Sequence, residues 1–549
     1  MHALLLTTAL TLVAASLGAA AQDSRLPDIG SSAGTVLGPA EQREYGQLTL
    51  AQLRHYGYVL EDPLVDGWLR TLGNRLGAAS DKPQQDFTFF MLKDRQINAF
   101  ATLGGYIAVN AGLVLAAERE DEVAAVLGHE IAHVTQSHVL RSVERAQRDT
   151  IPLLLATLGA LAVAQSGGDS SSNGAIAAIA SAQGLAAQRQ INYTRANESE
   201  ADRLGIRTLD RSGYDPDAMA GMFSRMQALS RVNRGGDKER TPDYLMSHPV
   251  TTVRVAEAKE NAERIKRGRT RVTTATTGPD GKREERVEYI DRNNIAATNP
   301  AWSSQNPLLP ASLQLVATAP GTDPLQFGWV RERLRVLSAD TPSAAIQEYE
   351  RLRAAGPLDD AQRYGLAYAR LRDGRGAAAA SEFSALLADH PDDVWVAIAL
   401  AEAEARAGRA AAADERFKGL LARLPNNRAV ALSYTAVLAE RNDRAAGQRA
   451  QAILRPLLGS ASEDPLFQTT FARASEIAGD PVRAGEAYAE AAWLNGRPEQ
   501  ALVQLNTLKK RDDIDYYARS RIDARIAAIT PQVLELRRQG VRDEDLRRR

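Results

Sequence analysis

The sequence predicts a mainly α protein in two parts: an α+β domain with a small sheet, then a linker and an α-solenoid of helical repeats. Three observations carry this prediction. "HEIAH" at 129–133 lies inside a long helical pattern, two runs of branched and aromatic residues precede it, and landmarks in the second half recur every 34 residues. A length of 549 residues implies several domains, and a hydrophobic fraction of 44% suffices for large cores. The formal net charge of −1 gives no support to nucleic-acid binding. There is no cysteine, so any metal site must use histidine and carboxylate, and neither disulfides nor cysteine lipidation is available.

Residues 1–21 read as an export signal. "MHALLLTTALTLVAASLGAAAQDS" is apolar and ends in small residues, with Ala19, Ala20 and Ala21 suiting cleavage before Gln22. Its first residues carry His2 but no Lys or Arg, which leaves an uncleaved anchor as the alternative. Export without cysteine fits the bacterial periplasm.

A first folded domain is expected over 22–265. Residues 41 to 79 alternate polar and apolar at helical period, as two helices broken at Asp62-Pro63. "DFTFFMLKD" and "GGYIAVNAGLV" then read as strands of a small sheet. The segment from Gly104 to Asn110, with Gly105, Tyr106 and Ala108, is the candidate edge strand on which an extended peptide substrate would pair; an interior strand is the alternative.

The helix that follows carries the chemistry. His129 and His133, four residues apart, share one helical face and can reach one ion. Glu130 beside them has the place of the general base in an HExxH arrangement. An ordinary surface helix with two histidines is disfavoured, because Val123, Val126, Leu127, Ile131 and Val134 form an apolar stripe that buries the motif. His138, nine residues after His129, has rotated by about 900° on a continuous helix and faces away. The third ligand must come from elsewhere. Beyond two short apolar segments within 151–188, which read either as a core hairpin or as a lid on the membrane surface, comes "NYTRANESEADRLG". Glu198 and Asp202, again four apart, offer one carboxylate as ligand and one to hold a ligand histidine; Glu200 points about 200° away from Glu198. The result is a His2Glu site for one zinc ion with an open position, in a zincin-like α+β metalloprotease domain.

"INAFATLGGYIAVNAGLV", "GHEIAHVTQSH", "NESEADRLG", "SGYDPDAM" and "SHPVTTVR", in this order, together with the early "LPDIGSSAG", resemble the gluzincin metallopeptidases of the HtpX and CAAX-prenyl-protease class. The likeness is strongest to the beta-barrel assembly-enhancing proteases of the bacterial periplasm. The resemblance implies zinc on His129, His133 and Glu198, catalysis by Glu130 and ligand support by Asp202. It also implies an HPxxxxR element, His248 to Arg254, beside the metal, protein substrates, and the outer-membrane barrel assembly machinery as partner. Two roles are open to that element. His248 or Arg254 stabilises the oxyanion formed on the peptide carbonyl, or neutral His248 is a resting-state fourth ligand that closes the open position with Arg254 as electrostatic support.

Residues 266–308, polar and punctuated by "NPAWSSQNPLLP", read as a linker with a small hairpin around Pro279-Asp280-Gly281. The basic run at 266 to 271 reads as solvated rather than lipid-bound. The repeats occupy 309–530. Tyr349, Phe383 and Phe417 are 34 residues apart, as are Pro357, Pro391 and Pro425, while Gly374, Gly408 and Asn442 keep the same step. That period identifies tetratricopeptide helix pairs, which bind peptides or partners rather than catalyse. The register slips by six before Pro465, yet Gly479 and Tyr488 keep the nine-residue offset of Gly374 and Phe383. A charged tail is expected at 531–549. The whole reads as a periplasmic zinc endopeptidase of misassembled or stalled envelope proteins, with repeats that recruit clients and with chaperone activity; the rival reading is a non-proteolytic chaperone or scaffold with structural zinc.

Overall fold

The computed structural model describes residues 37–142, 144, 194–233, 244, 248–267, 269–277, 283–291 and 324–538. The expected export signal, the 151–188 segment, residues 292–308 of the linker and the final eleven residues, 539–549, lie outside them.

The first helix, α1 (Pro39–His55), begins with proline at its first position and ends where Gly57 takes φ 73°. A two-residue strand, β1 (Val59–Leu60), leads to α2 (Pro63–Ala78). Asp62 and Pro63 start this helix as well as ending the preceding segment: the Asp62 carboxylate accepts the free amides of Leu64 and Val65, each at 3.1 Å, and proline needs no partner there. The buried face of α2, with Val65, Trp68, Leu69, Leu72 and Leu76, covers a sheet of β2 (Thr88–Leu92), β3 (Ala99–Ala101) and β4 (Tyr106–Asn110) with β1. Gly73 permits the contact, since a Cβ there would lie 2.4 Å from the Phe89 ring.

The strand order is β1-β2-β4-β3, with β2 parallel and β3 antiparallel to β4. This corrects the expected substrate strand. Gly105, Tyr106 and Ala108 belong to, or directly precede, an interior strand: Tyr106 and Ala108 pair with Thr88 and Phe90 on one side, and Ala108 with Phe100 on the other. Their backbone groups are committed within the sheet. The edge facing the metal helix is β3, three residues long, too short for a periodic pattern to reveal.

Two helices follow, α3 (Ala111–Ala116) and α4 (Glu120–Thr135), then α5 (194–211), α6 (Ala218–Asn233) and α7 (Thr252–Arg267). In the linker, β5 (Arg269–Thr277) and β6 (Arg283–Asp291) form an antiparallel hairpin, longer than the small turn expected at 279–281. The remainder is a helical stack: α8 (Pro324–Leu337), α9 (Pro342–Ala355), α10 (Asp360–Arg372), α11 (Gly376–Asp389), α12 (Val394–Arg406), α13 (Ala410–Arg423), α14 (Arg428–Arg441), α15 (Arg444–Leu454), α16 (Pro465–Ala478), α17 (Pro481–Leu494), α18 (Pro498–Lys509) and α19 (Tyr516–Arg538). The 34-residue landmarks have physical causes here. Tyr349, Phe383 and Phe417 are fully buried between helices, and Gly374, Gly408, Asn442 and Gly479 all take positive φ where α10, α12, α14 and α16 turn into their partners. The expected tail boundary at 531 is displaced: α19 runs through Pro531 to Arg538 and buries Ile529 and Val533.

The stack is joined to the first domain by buried polar contacts. Arg333 of α8 reaches Asp62 through Nε (2.9 Å to Oδ1) and Nη2 (2.8 Å to Oδ2), while its Nη1 donates to the Tyr364 hydroxyl at 3.1 Å. Its guanidinium also lies over the Tyr368 ring, 4.1 Å from the centroid. Further along, Arg428 bridges Asp464 and Asp66, and the Arg54 guanidinium donates to the Leu494 carbonyl at 3.3 Å.

Since Asp62 is at once the cap of α2 and the partner of Arg333, removing the arginine leaves a buried carboxylate uncompensated. Arg333→Ala should lower unfolding free energy by about 3–5 kcal/mol in denaturant titration. A loss under about 1 kcal/mol, the scale of exposed pairs, would contradict this reading.

Candidate metal centre

The metal helix α4 is buried along almost its whole length. Its N-terminal acids are placed to suit the helix dipole and are individually satisfied: Glu120 accepts from Trp68 Nε1 (2.9 Å) and the Tyr214 hydroxyl (3.0 Å), and Asp121 from the Asp215 amide (3.1 Å). Midway along, Gly128 meets Gly205 of α5. A Cβ on Gly205 would lie 3.0 Å from the His129 amide nitrogen, and one on Gly128 3.2 Å from the Gly205 carbonyl oxygen. Without side chains at this crossing, the two helices approach backbone to backbone, which brings Glu198 and Asp202 beside the histidines.

Four donor atoms converge, one each from His129, His133, Glu198 and His248, all within 4.8 Å of one another. His129 Nε2 is 3.0 Å from His133 Nε2, 3.4 Å from Glu198 Oε2 and 3.5 Å from His248 Nδ1. His133 Nε2 is 3.5 Å from Glu198 Oε1, and His248 Nδ1 is 2.9 Å from the same oxygen. Bonds of about 2.0–2.1 Å in a tetrahedron separate ligands by roughly 3.3 Å, so this spacing suits a tetrahedral ion. His248 takes the fourth corner through Nδ1, its ring stacked on that of Tyr244 at 4.9 Å and its amide donating to the Tyr244 carbonyl at 2.7 Å.

The surroundings also fit a divalent cation. The other nitrogen of each helix histidine already faces a partner: His129 Nδ1 lies 2.9 Å from Asp202 Oδ1, and His133 Nδ1 lies 2.8 Å from His138 Nδ1. With the ring protons on Nδ1, two Nε2 lone pairs point at each other, an arrangement that a cation stabilises. Three buried acids, Glu130, Glu198 and Asp202, surround the site and one guanidinium, that of Arg254, pairs with the last two; three minus one leaves a formal excess of two negative charges. Burial works to raise the Glu198 pKa, but its closeness to the His129 and His248 rings holds it below the usual carboxylate range.

Glu130 is anchored by one oxygen only. Its Oε2 accepts the Ala101 amide of β3 at 3.1 Å, whereas buried Oε1 has no hydrogen-bond partner among the described residues and lies 3.8 Å from His248 Nε2. Burial raises its pKa, as suits a group that takes up a proton. Of the two roles open to Arg254, its contacts suit that of electrostatic support. Nε and Nη2 hold the two oxygens of Asp202, each at 2.7 Å, Nη1 lies 2.9 Å from Glu198 Oε2, and the side chain is buried over the Phe223 ring. Nη1 also donates to the Pro249 carbonyl at 3.1 Å, so all three nitrogens are engaged within the protein.

His138 also departs from expectation. The helix stops at Thr135 and Ser137 takes φ 54°, so the chain turns and His138 comes back against His133 instead of facing away. A helical-wheel projection holds only while the helix continues, and "TQSH" contains no glycine or proline to announce the stop. Glu200 points away from Glu198 as expected, and its Oε2 lies 3.1 Å from His138 Nε2 and 3.2 Å from Arg141 Nη2.

Residues 63–262 match Peptidase family M48. The chain is 34% identical over 266 residues to the beta-barrel assembly-enhancing protease of Yersinia pestis, covering 48% of this chain and 53% of that protein. A Vibrio cholerae protein named for the same activity is 40% identical over 255 residues, 46% of this chain and 51% of the relative. Metalloprotease LoiP of Escherichia coli (strain K12) is 28% identical over 195 residues, 35% of this chain and 68% of the relative. The chain spans about half the length of the two assembly-enhancing relatives.

Asp202 both orients His129 and takes the full fork of Arg254. Asp202→Asn should therefore weaken zinc binding by about 10- to 100-fold, read by competition with a chromophoric chelator. Unchanged affinity would show that Asp202 serves only the helix packing.

Proposed function

From an M48 peptidase domain built round four converging donor atoms, we propose a zinc-dependent endopeptidase of the cell envelope whose resting state is closed by its own His248. The observation that carries the proposal is Glu130: a buried carboxylate with one oxygen fixed to a strand edge and the other unpartnered among the described residues, at the margin of the donor cluster. A site that merely bound zinc for structure would have no use for it.

His129, His133 and Glu198 would hold the ion, and Asp202 and Arg254 would hold His129 and Glu198. A bound divalent ion supplies acidification of water and polarisation of the scissile carbonyl. Glu130 takes the proton of the attacking water on Oε1, the oxygen left free by the Ala101 amide, and returns it to the leaving amine. The same amide belongs to β3, so a peptide lying antiparallel along the outer edge of that strand arrives beside Glu130. We assign the substrate strand to Ala99–Ala101 accordingly. His248 must withdraw before a carbonyl can enter, and its place among the non-helical residues 248–251 that precede α7 suits a residue that moves.

The helical stack would supply the binding surface, holding unfolded or stalled envelope proteins as clients. The name of the relatives, beta-barrel assembly-enhancing protease, together with the signal-like first 21 residues, supports a periplasmic setting with the outer-membrane barrel assembly machinery as partner. No helix among the described residues is long and apolar enough to cross a membrane; contact of the 151–188 segment with a membrane surface belongs to the same proposal. One observation favours the rival, a chaperone with structural zinc: His248 gives the site four protein ligands, the number that closes structural zinc sites.

Two substitutions separate the readings. Glu130→Gln should retain zinc while peptide-bond cleavage falls by about 100-fold or more, measured on a denatured envelope protein; cleavage at the wild-type rate would remove the enzymatic assignment. His248→Ala should raise cleavage several-fold by vacating the fourth corner. A steep fall would return His248 to the oxyanion role, and no change would make it structural.

A further inference from the structure

We infer that His138, Glu200 and Arg141 form a positioning relay for His133, equivalent in purpose to the Asp202 and Arg254 pair behind His129. The inference rests on the zinc reading above. It is carried by a chain of contacts that leads away from the donor cluster: His133 Nδ1 to His138 Nδ1 at 2.8 Å, His138 Nε2 to Glu200 Oε2 at 3.1 Å, and Arg141 Nη2 to the same oxygen at 3.2 Å.

The proton arrangement along this chain is determined by its ends. His133 Nε2 belongs to the donor cluster and keeps its lone pair, so the ring proton sits on Nδ1 and is donated to His138. His138 Nδ1 must then accept, which places its own proton on Nε2, facing Glu200. Each link has one donor and one acceptor, and both rings are neutral. The carboxylate end is anchored by a guanidinium, as Asp202 is by Arg254.

Burial makes the contact consequential. His133 and His138 are 8% and 3% exposed, so an unpaired Nδ1–H on His133 would find no water to replace the acceptor. The backbone is shaped to deliver it: Ser137, in the left-handed region at φ 54°, ends α4 and turns the next residue back on the preceding turn. Both arms take their acids from α5, from Asp202 and from Glu200, two residues apart and so on different faces of that helix. One helix thus contributes a ligand, Glu198, and the orienting carboxylate for each histidine.

His138→Phe and His138→Asn distinguish hydrogen bonding from packing, because the two explanations rank them oppositely. Phenylalanine keeps the ring volume and has no acceptor; asparagine places its Oδ1 where Nδ1 stood and leaves a void. Zinc dissociation constants of the full-length chain, by competition with a chelator, should rise by about 10- to 100-fold for His138→Phe and stay within about 3-fold of wild type for His138→Asn. The cobalt(II)-substituted visible spectrum should shift in the first variant and not in the second. Should His138→Phe fail to fold, as read by melting of the metal-free protein, Glu200→Leu, which has no acceptor, provides the same test from the far end, with weakened zinc binding as the expected result. Wild-type affinity in His138→Phe, unchanged affinity in Glu200→Leu, or weaker binding by asparagine than by phenylalanine would overturn the relay while leaving the metal reading intact. Failure of the wild-type chain itself to bind zinc would overturn both.

Discussion

Gly128 and Gly205 let α4 and α5 touch backbone to backbone, and the rest of the site depends on that contact. Helices bearing ordinary side chains pack at 8–10 Å between axes, with longer side chains at the upper end of that range. A glycine crossing beside His129 draws α5 close enough for Glu198 to enter the same small volume as two imidazoles, and for Asp202 to meet the far nitrogen of His129. Ionisable groups so crowded and buried are costly unless compensated. Arg254 compensates part of the charge, and the formal excess of two negative charges is what a divalent ion would neutralise.

Division of labour among the elements follows from rigidity. The proposed ligands and base stand on helices, α4 of them sealed in the core, and the proposed base is held by a strand edge, whereas His248 stands on non-helical residues. A ligand set that persists belongs on the scaffold, and a group that must leave belongs on a connection. The stack of helices is tied to the same scaffold through Asp62, which caps α2 and pairs with Arg333, so the surface proposed to hold clients has a fixed bearing on the metal helix.

Much of this was legible in the sequence because it rests on spacing within one element. His129 with His133, and Glu198 with Asp202, are four-residue pairs on continuous helices, and the 34-residue aromatic and glycine landmarks occupy the buried faces and turns that such a period requires. What escaped lay where one element ends or meets another. The strand β3 has three residues, too few to show alternation, so the longer and more hydrophobic β4 reads as the edge although it lies inside the sheet. His138 faces away only on a helix that continues past Thr135, and α4 ends there. That Asp202 and Glu198 occupy the fork of Arg254 is a fact of geometry that no spacing encodes.

The central claim is that donors from α4, α5 and the segment carrying His248 close around one ion. X-ray absorption at the zinc edge of the zinc-loaded full-length chain tests it most directly. The account predicts four nitrogen or oxygen neighbours at about 2.0–2.1 Å, three of them with the outer-shell scattering of imidazole. Six oxygen neighbours with no imidazole scattering would contradict it.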